Sequence, residues 1–391
     1  MISVTEALSI VSNVTYTPKK ATVLLKNADG FVLSDDVVSP INMPPFRQSA
    51  MDGYALSLHN NNSYEIIGEV PAGSNINYSL SPGQGVRIFT GARVPNDAET
   101  VIMQEKVHRS GNHISIEDQV LSNSNIRPTG EQIKEGEVAL KKGTQLTPAG
   151  IGYLAGLGIT EVQVFTSPSI AIITTGNELV TPGLPLQEGQ IYESNSVQLE
   201  VALKRLNVKK IQNYTVQDDY ESTKNTVKEA ITNHEIVLIS GGISVGDYDF
   251  VKDVLAELQI VELFYKIKQK PGKPLFFGRN SDTLVYALPG NPASSLTCFY
   301  IYVLPTIRKI MGITSEGLKR TTKAITKDFS KKGDRAQFLK AKVSGKTVEI
   351  LEGQSSAMLL TYAIANALVY IPENMNTISK GDLVETIILP K

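Results

Sequence analysis

From residue 170 onward the sequence alternates between short apolar runs and helical patterns, and this restricts the fold more than any other feature. Runs at residues 170–174, 208–216, 236–240, 261–267, 275–278 and 284–288 read as strands. Helical patterns fall at residues 194–206, 220–233, 250–258 and 292–311. That order predicts a three-layer α/β domain around a largely parallel sheet. In such sheets ligands gather at the carboxyl ends of the strands.

The unusual turns of the sequence fall at those ends. Thr175-Gly176-Asn177-Glu178-Leu179 follows the first strand, and Asp218 follows the second. The third strand leads into Ser240-Gly241-Gly242-Ile243-Ser244-Val245-Gly246-Asp247-Tyr248-Asp249. Adjacent glycines let the backbone approach a ligand, and bare N–H groups at such a turn can cradle an anion. Lys268-Gln269-Lys270-Pro271-Gly272-Lys273-Pro274 follows the fourth run, where the prolines stiffen a cationic loop. Pro289-Gly290-Asn291-Pro292 closes the series. Asn291 and Pro292 form a good N-cap and first-turn pair, and such a helix start also offers N–H groups to a phosphate. Glu178 is a loop carboxylate placed to bind a metal or move a proton. If the strands are parallel, these loops share one edge and one pocket. A phosphate cradle beside acids suggests chemistry on a phosphorylated small molecule.

The rest of the chain reads as flanking domains. Residues 1–40 read as helical and then, from residue 30 to 38, as strand-like, with Ser3 and Glu6 as a capping box. Prolines at 40, 44 and 45 mark a boundary. Residues 46–138 read as a small β-rich domain, with strands at 63–67, 85–89 and 100–104. Residues 139–166 return to a helix and a strand, and are expected to pack back on residues 1–45 as one discontinuous linking domain. The α/β block spans residues 167–317. Residues 318–391 read as strands at 338–343, 347–351, 367–371 and 383–389, a C-terminal β-domain or barrel.

Composition narrows the function. The net charge of −1 argues against a nucleic-acid or acidic-membrane partner, so any anion site must be local. No apolar run has the length of a membrane span, and the first residues lack a signal-peptide pattern, so a reducing cytoplasm is the expected compartment. The single cysteine, Cys298, rules out a Cys-cluster metal site and is expected to be buried packing. The four histidines show no ligand spacing.

Taken together the motifs resemble the MoeA and gephyrin E-domain family, the molybdopterin molybdenumtransferases. The resemblance covers essentially the whole chain. It is carried by Ser49-Ala50-Met51-Asp52-Gly53-Tyr54-Ala55, Thr90-Gly91-Ala92, Thr174-Thr175-Gly176-Asn177-Glu178-Leu179, Gly241-Gly242-Ile243-Ser244-Val245-Gly246 with Asp249, Lys270-Pro271-Gly272-Lys273-Pro274 and Leu288-Pro289-Gly290-Asn291-Pro292. It implies a multidomain, elongated subunit of α/β plus β class, with a MogA-like three-layer α/β domain and a C-terminal barrel-like domain. It also implies a homodimer, whose cleft lies between the α/β block of one subunit and the second domain of the other. The implied reaction inserts molybdate into adenylylated molybdopterin with release of AMP. Since one buried cysteine cannot supply two soft ligands, the dithiolene sulfurs come from the substrate.

The resemblance implies these roles. Gly241, Gly242, Ser244, Gly246, Pro289, Asn291 and Pro292 hold the pterin phosphate, with Thr90, Arg127 and Ser356 as further cleft residues. Lys270 and Lys273 offset phosphate or molybdate charge. Asp52, Glu178, Asp218 and Asp249 are the catalytic acids, and Glu178, Asp218 and Asp249 the candidates for Mg2+. Implied partners are an adenylyltransferase of the MogA type and molybdoenzyme apoproteins or their chaperones. Four positions depart from the family pattern: Gln132 and Arg47 stand where Asp is common, Asn177 where many members have Asp, and Ser355 where Gly is usual. Alternatives are an adenylyltransferase acting through the α/β block, a tungstate-inserting paralogue and a cofactor-carrying scaffold.

Overall fold

The computed structural model describes residues 1–117, 120–243, 250–314 and 317–390. The chain forms two compact units. The first comprises Met1–Ala21, Gly30–Ser34 and Val164–Lys391, the second Thr22–Asp29 and Asp35–Gln163.

The first unit is organised by the α/β block. Its elements are β1 (Ile170–Thr175), α1 (Asn195–Arg205), β2 (Ile211–Val216), α2 (Tyr220–Asn233), β3 (Ile236–Ser240), α3 (Val251–Glu257), β4 (Val261–Tyr265), β5 (Phe276–Arg279), β6 (Leu284–Leu288) and α4 (Pro292–Cys298). The sheet order is β2-β1-β3-β6-β5-β4. The first four strands are parallel, with Ile170 opposite both Ile211 and Ile236, and Ile236 opposite Leu284. β5 is antiparallel to both β6 and β4, so β4 points the same way as the parallel four.

Side chains on a strand alternate between faces, and here both faces are covered. Ile170, Ile172, Ile236 and Leu238 pack on one side with Leu199 and Leu203 of α1, and with Phe299 and Ile307. Ala171, Ile173, Val237 and Ile239 pack on the other with Val227 of α2 and Val254 of α3. Each such aliphatic side chain contributes roughly 1.5–3 kcal/mol when fully buried. This is the three-layer arrangement expected from the alternation.

Two expectations need correction. The long helix expected at residues 292–311 is interrupted by a π-helical turn at Phe299–Val303 before resuming at Leu304–Ile310. Pro305 lacks an N–H and cannot continue the regular ladder, and a π turn absorbs that break. Residues 1–40 are helical over Val4–Asn13, plus one 3-10 turn at Leu25–Asn27. Of residues 30–38 only Val37–Val38 forms a strand, with an isolated bridge from Leu33 to Val164. The Thr17-Pro18 step favours extended backbone, which stops the helix from resuming. The Ser3–Glu6 capping box is present, with reciprocal bonds of 3.2 and 2.7 Å.

The tail is a closed five-stranded barrel. Ala336–Ser344 pairs with Thr347–Ile350, then Arg320–Ile325, Leu383–Ile388 and Ala367–Ile371, which returns to Ala336–Ser344. Closure removes free sheet edges. Gln269–Lys270 adds to it as a short parallel strand beside Ala336–Gln337.

In the second unit, a six-stranded sheet runs in the order Thr100–Met103, Gly53–Leu56, Gln84–Ile88, Ser63–Val70, His113–Ile116, Val107–Ser110. Asp52-Gly53 does more than turn the chain. A Cβ on Gly53 would stand 1.8 Å from the carbonyl oxygen of Ile102, so this strand can start only with glycine.

Candidate functional site

The carboxyl ends of β1, β2, β3 and β6 open into a cleft of about 610 Å³. Thr175, Gly176, Glu178, Asp218, Gly241, Gly242, Pro289, Asn291 and Pro292 all line it. The parallel sheet thus gathers these loops at one edge, as the sequence implied. Ser244, Gly246 and Asp249 lie outside the described residues.

Asp218 is fixed by the first loop. Thr175 Oγ1 donates to its Oδ1 (3.1 Å) and the Asn177 N–H to its Oδ2 (3.3 Å). The Asp218 N–H returns a bond to Asn177 Oδ1 (3.1 Å). An aspartate at 177 would put a second negative charge beside Asp218, so the departure to asparagine keeps the clasp without repulsion. Glu178 follows on the same turn, and its backbone carbonyl accepts from the Ile191 N–H (2.9 Å).

The glycine pair works through missing side chains more than through bare N–H groups. Gly241 has φ +103°, and a Cβ there would sit 2.7 Å from the Thr175 carbonyl oxygen. Gly242 has φ +60°, and its Cβ would meet Val251 at 2.8 Å. The Gly241 N–H is not bare: it donates to the Leu288 carbonyl (3.3 Å).

Asn291 is also not the side-chain cap expected. Its carbonyl accepts from the N–H groups of Ser294 (3.0 Å) and Ser295 (2.9 Å), while its Nδ2 donates to Ser356 Oγ (3.0 Å). The Ser356 carbonyl accepts a second bond from the Ser294 N–H (3.2 Å). The side chain is therefore turned toward the tail loop, and Ser356 joins the turn after β6.

Lys340 supports that loop from below. It is 3 % exposed, and its Nζ donates to the carbonyls of Ser355 (3.0 Å) and Met358 (3.1 Å). Burial pulls its ammonium pKa down. In sequence it looks like one more barrel-strand lysine. The lysine loop is held similarly by buried Gln269, whose Nε2 donates to the carbonyls of Pro271 (3.0 Å) and Gly272 (3.3 Å) and whose Oε1 accepts from Tyr302. Lys270 and Lys273 are exposed, and of this loop Pro274 lines the cleft. Lys268 is ion-paired with Asp334 (3.4 Å) and Glu373 (3.3 Å).

Cys298 is buried, and burial raises its thiol pKa far above the usual range, so it is no thiolate ligand. Among the described residues no three His, Cys, Asp or Glu cluster as a metal site. Glu193 and Asn195 line the cleft and were missed in the sequence, where they read as the start of an ordinary helix.

Asp52, Thr90 and Arg127 belong to the second unit. The Thr90 N–H and Oγ1 donate to Asp52 Oδ1 at 2.7 and 2.8 Å. These bonds, backbone first, then Thr90 Oγ1, with a smaller pull from Arg87, hold the exposed Asp52 carboxyl below its usual range. Arg127 is on the strand Ile126–Arg127 that pairs with Gln48–Ser49, while the Gly91 N–H bonds the Ser49 carbonyl (2.9 Å). Local pairing thus assembles Asp52, Thr90 and Arg127 around one segment. Arg47, in place of an aspartate, staples a loop through the carbonyls of Pro95, Asn96 and Ala98 (3.4, 3.1 and 2.7 Å). Gln132 keeps a backbone role, its N–H bonding the Met43 carbonyl (2.9 Å).

Thr90→Val tests the Asp52 clasp. It removes the hydroxyl donor and leaves the backbone one, so the Asp52 pKa is expected to rise toward the ordinary carboxylate range without returning fully. Carboxyl-carbon NMR titration reads this directly. An unmoved pKa would show that the hydroxyl does not hold the anion.

Three family models match in order: the MoeA N-terminal region, domains I and II, at residues 2–158, a probable molybdopterin binding domain at 171–309, and the MoeA C-terminal region, domain IV, at 324–389. A molybdopterin molybdenumtransferase of Haemophilus influenzae is 38 % identical over 292 residues, 74 % of this chain and 72 % of the relative. Molybdopterin molybdenumtransferase 2 of Mycobacterium tuberculosis is 32 % identical over 397 residues, covering 97 % and 98 % of the two chains. Two crystal structures of the molybdopterin biosynthesis MoeA protein of Pyrococcus horikoshii match with TM-scores of 0.87 and 0.82 at 30 % and 29 % identity, covering 100 % of both chains. The chain belongs to the MoeA family, the molybdopterin molybdenumtransferases of molybdenum cofactor biosynthesis.

Proposed function

We propose that this chain inserts molybdate into adenylylated molybdopterin, releasing AMP and active molybdenum cofactor. The observation that carries the proposal is the cleft at the carboxyl ends of β1, β2, β3 and β6, lined by the glycine-bearing turns after β1, β3 and β6 and by the carboxylates of Glu178, Glu193 and Asp218. The relatives' names point to the same chemistry. Gly241, Gly242, Pro289, Asn291, Pro292 and Ser356 bind the phosphate-bearing part of the substrate by close backbone approach and by hydroxyl and amide donors. Ser244 and Gly246, which follow in the same sequence motif, are assigned to the same phosphate. Lys270 and Lys273 offset the charge of phosphate or molybdate.

Oxygen leaving molybdate departs as water and needs protons. Glu178, Asp218 and Asp52 are the acids that hold or move them, with Asp249 a fourth. Magnesium takes one or two carboxylates together with substrate phosphates, and Glu178 and Asp218 fit that donor type. These two, with Asp249, would hold Mg2+, which would offset phosphate charge. Thiolate chemistry is left to the substrate, since Cys298 is buried.

The working form is proposed to be a homodimer, in which Asp52, Thr90 and Arg127 of one subunit serve the cleft of its partner. An adenylyltransferase of the MogA type supplies the substrate in the cytoplasm, and molybdoenzyme apoproteins or their chaperones take the product. No helix among the described residues is long and apolar enough to cross a membrane.

Reconstitution tests the reading. Purified protein with adenylylated molybdopterin, Mg2+ and low molybdate is expected to release AMP in step with metal incorporation. Formation of an AMP adduct from molybdopterin and ATP, without a second enzyme, would instead make it an adenylyltransferase. A preference for tungstate at equal concentration would reassign the metal.

A further inference from the structure

We propose that Asn195 is a positioning residue for the phosphate-binding turns, holding the turn after β3 and the turn after β6 at a fixed separation. The inference rests on the substrate reading above.

Asn195 opens α1 and is 9 % exposed. Its Nδ2 donates to Ser240 Oγ (2.8 Å), the last residue before the glycine pair, and to the Gly290 carbonyl (2.6 Å). Its Oδ1 accepts from Gln198 Nε2 (3.0 Å), which also donates to the Pro292 carbonyl (3.0 Å). One amide therefore ties the ends of two strands to a helix. The two turns touch closely: a Cβ on Gly290 would stand 3.6 Å from Gly241 Cα. Their direct polar link, from the Gly241 N–H to the Leu288 carbonyl, is long at 3.3 Å.

The residue type is demanding. Two N–H groups and one acceptor are needed on a short stem, which is what asparagine offers. Aspartate has no donor and would turn a carboxylate on the Gly290 carbonyl. Glu193 fixes the start of the same helix, its carboxylate accepting from the N–H groups of Asn195 (2.5 Å) and Ser196 (2.9 Å) and from the Ser196 hydroxyl. The keystone itself is thus held in place from the other side. Loosening these turns weakens binding of the phosphate-bearing part in ground state and transition state alike, which raises KM and leaves kcat in place.

The test is a double-mutant cycle on AMP release from adenylylated molybdopterin. Asn195→Ala is expected to raise the KM for adenylylated molybdopterin about tenfold, while kcat and the KM for molybdate stay within about twofold. Ser240→Ala should raise it about threefold, and the double variant should be no worse than Asn195→Ala alone, because both break one link. An unchanged KM in Asn195→Ala, or additive losses, would overturn the proposal. If Asn195→Ala does not fold, Ser240→Ala carries the same readout, and an unchanged KM there overturns it. If the wild-type protein releases no AMP, the activity reading is what has failed. The positioning claim is then read from calorimetric titration with AMP: roughly tenfold weaker binding by the variant supports it, and equal affinity ends it.

Discussion

Mixing Asp52→Ala subunits with Glu178→Gln subunits is expected to restore about a quarter of wild-type AMP release, although each variant alone has lost at least about 100-fold. Asp52 and Glu178 belong to different compact units of the chain. If each cleft of the proposed homodimer takes Glu178 from one subunit and Asp52 from its partner, a mixed dimer has one intact cleft and one doubly damaged cleft. Random exchange makes half of the dimers mixed, and half of their clefts work. The substitutions are mild for the fold, since Asp52 and Glu178 are both exposed. Melting temperatures within a degree or two of wild type would confirm that activity, not folding, is read. No recovery after verified subunit exchange would mean that both residues serve a cleft within one chain, or that they do not share a site.

The second large effect is on a glycine. Gly241→Ala is expected to destabilise the protein by about 1–3 kcal/mol and to lower kcat/KM for AMP release by about 10–100-fold. Alanine at φ +103° is strained, and its methyl carbon would lie 2.7 Å from the Thr175 carbonyl oxygen. Relief requires β1 and β3 to move apart at the end that carries Asp218's partner Thr175 and the phosphate turn. Gly152→Ala is the matched control. It lies within the helix Pro148–Gly156, and nothing stands within 4 Å of the added carbon. Alanine there is expected to stabilise by roughly 0.5–1 kcal/mol. Thermal melts and AMP-release assays on the pair separate backbone strain at the cleft from glycine replacement in general. Equal behaviour of the two variants would remove the claim that the turn after β3 needs glycine.

The sheet and its loop edge were legible because their causes are local. Val, Ile and Leu runs bounded by Gly, Pro and Asn set β1, β3 and β6, and parallel pairing brings the following turns together without further information. Four of the five barrel strands were legible as runs between glycine turns, while Arg320–Ile325, which closes the barrel between Thr347–Ile350 and Leu383–Ile388, was not read. What escaped were residues whose meaning depends on a distant neighbour. Asn291 looks like a cap in sequence, yet Ser356 takes its amide. Gly53 looks like half of a turn, yet the Ile102 carbonyl forbids a side chain there. Gln269, Lys340 and Asn195 carry ordinary polar groups whose importance comes from being buried among carbonyls, and no spacing rule announces that. Pro305 was passed over inside the helix expected at residues 292–311, and the π turn beside it depends on the surrounding helix being fixed at both ends.

The short strand Gln269–Lys270 has a consequence for chimeras. A cut near residue 318 that exchanges the tail between relatives separates Lys270 from Gln337 and Asn291 from Ser356, pairs that meet across the junction. A graft meant to keep catalysis should therefore carry the cationic loop and the turn ahead of α4 along with the barrel. Transplanting the tail alone would also cut through the core that Phe338, Leu368 and Ile387 share with Phe299 and Tyr302.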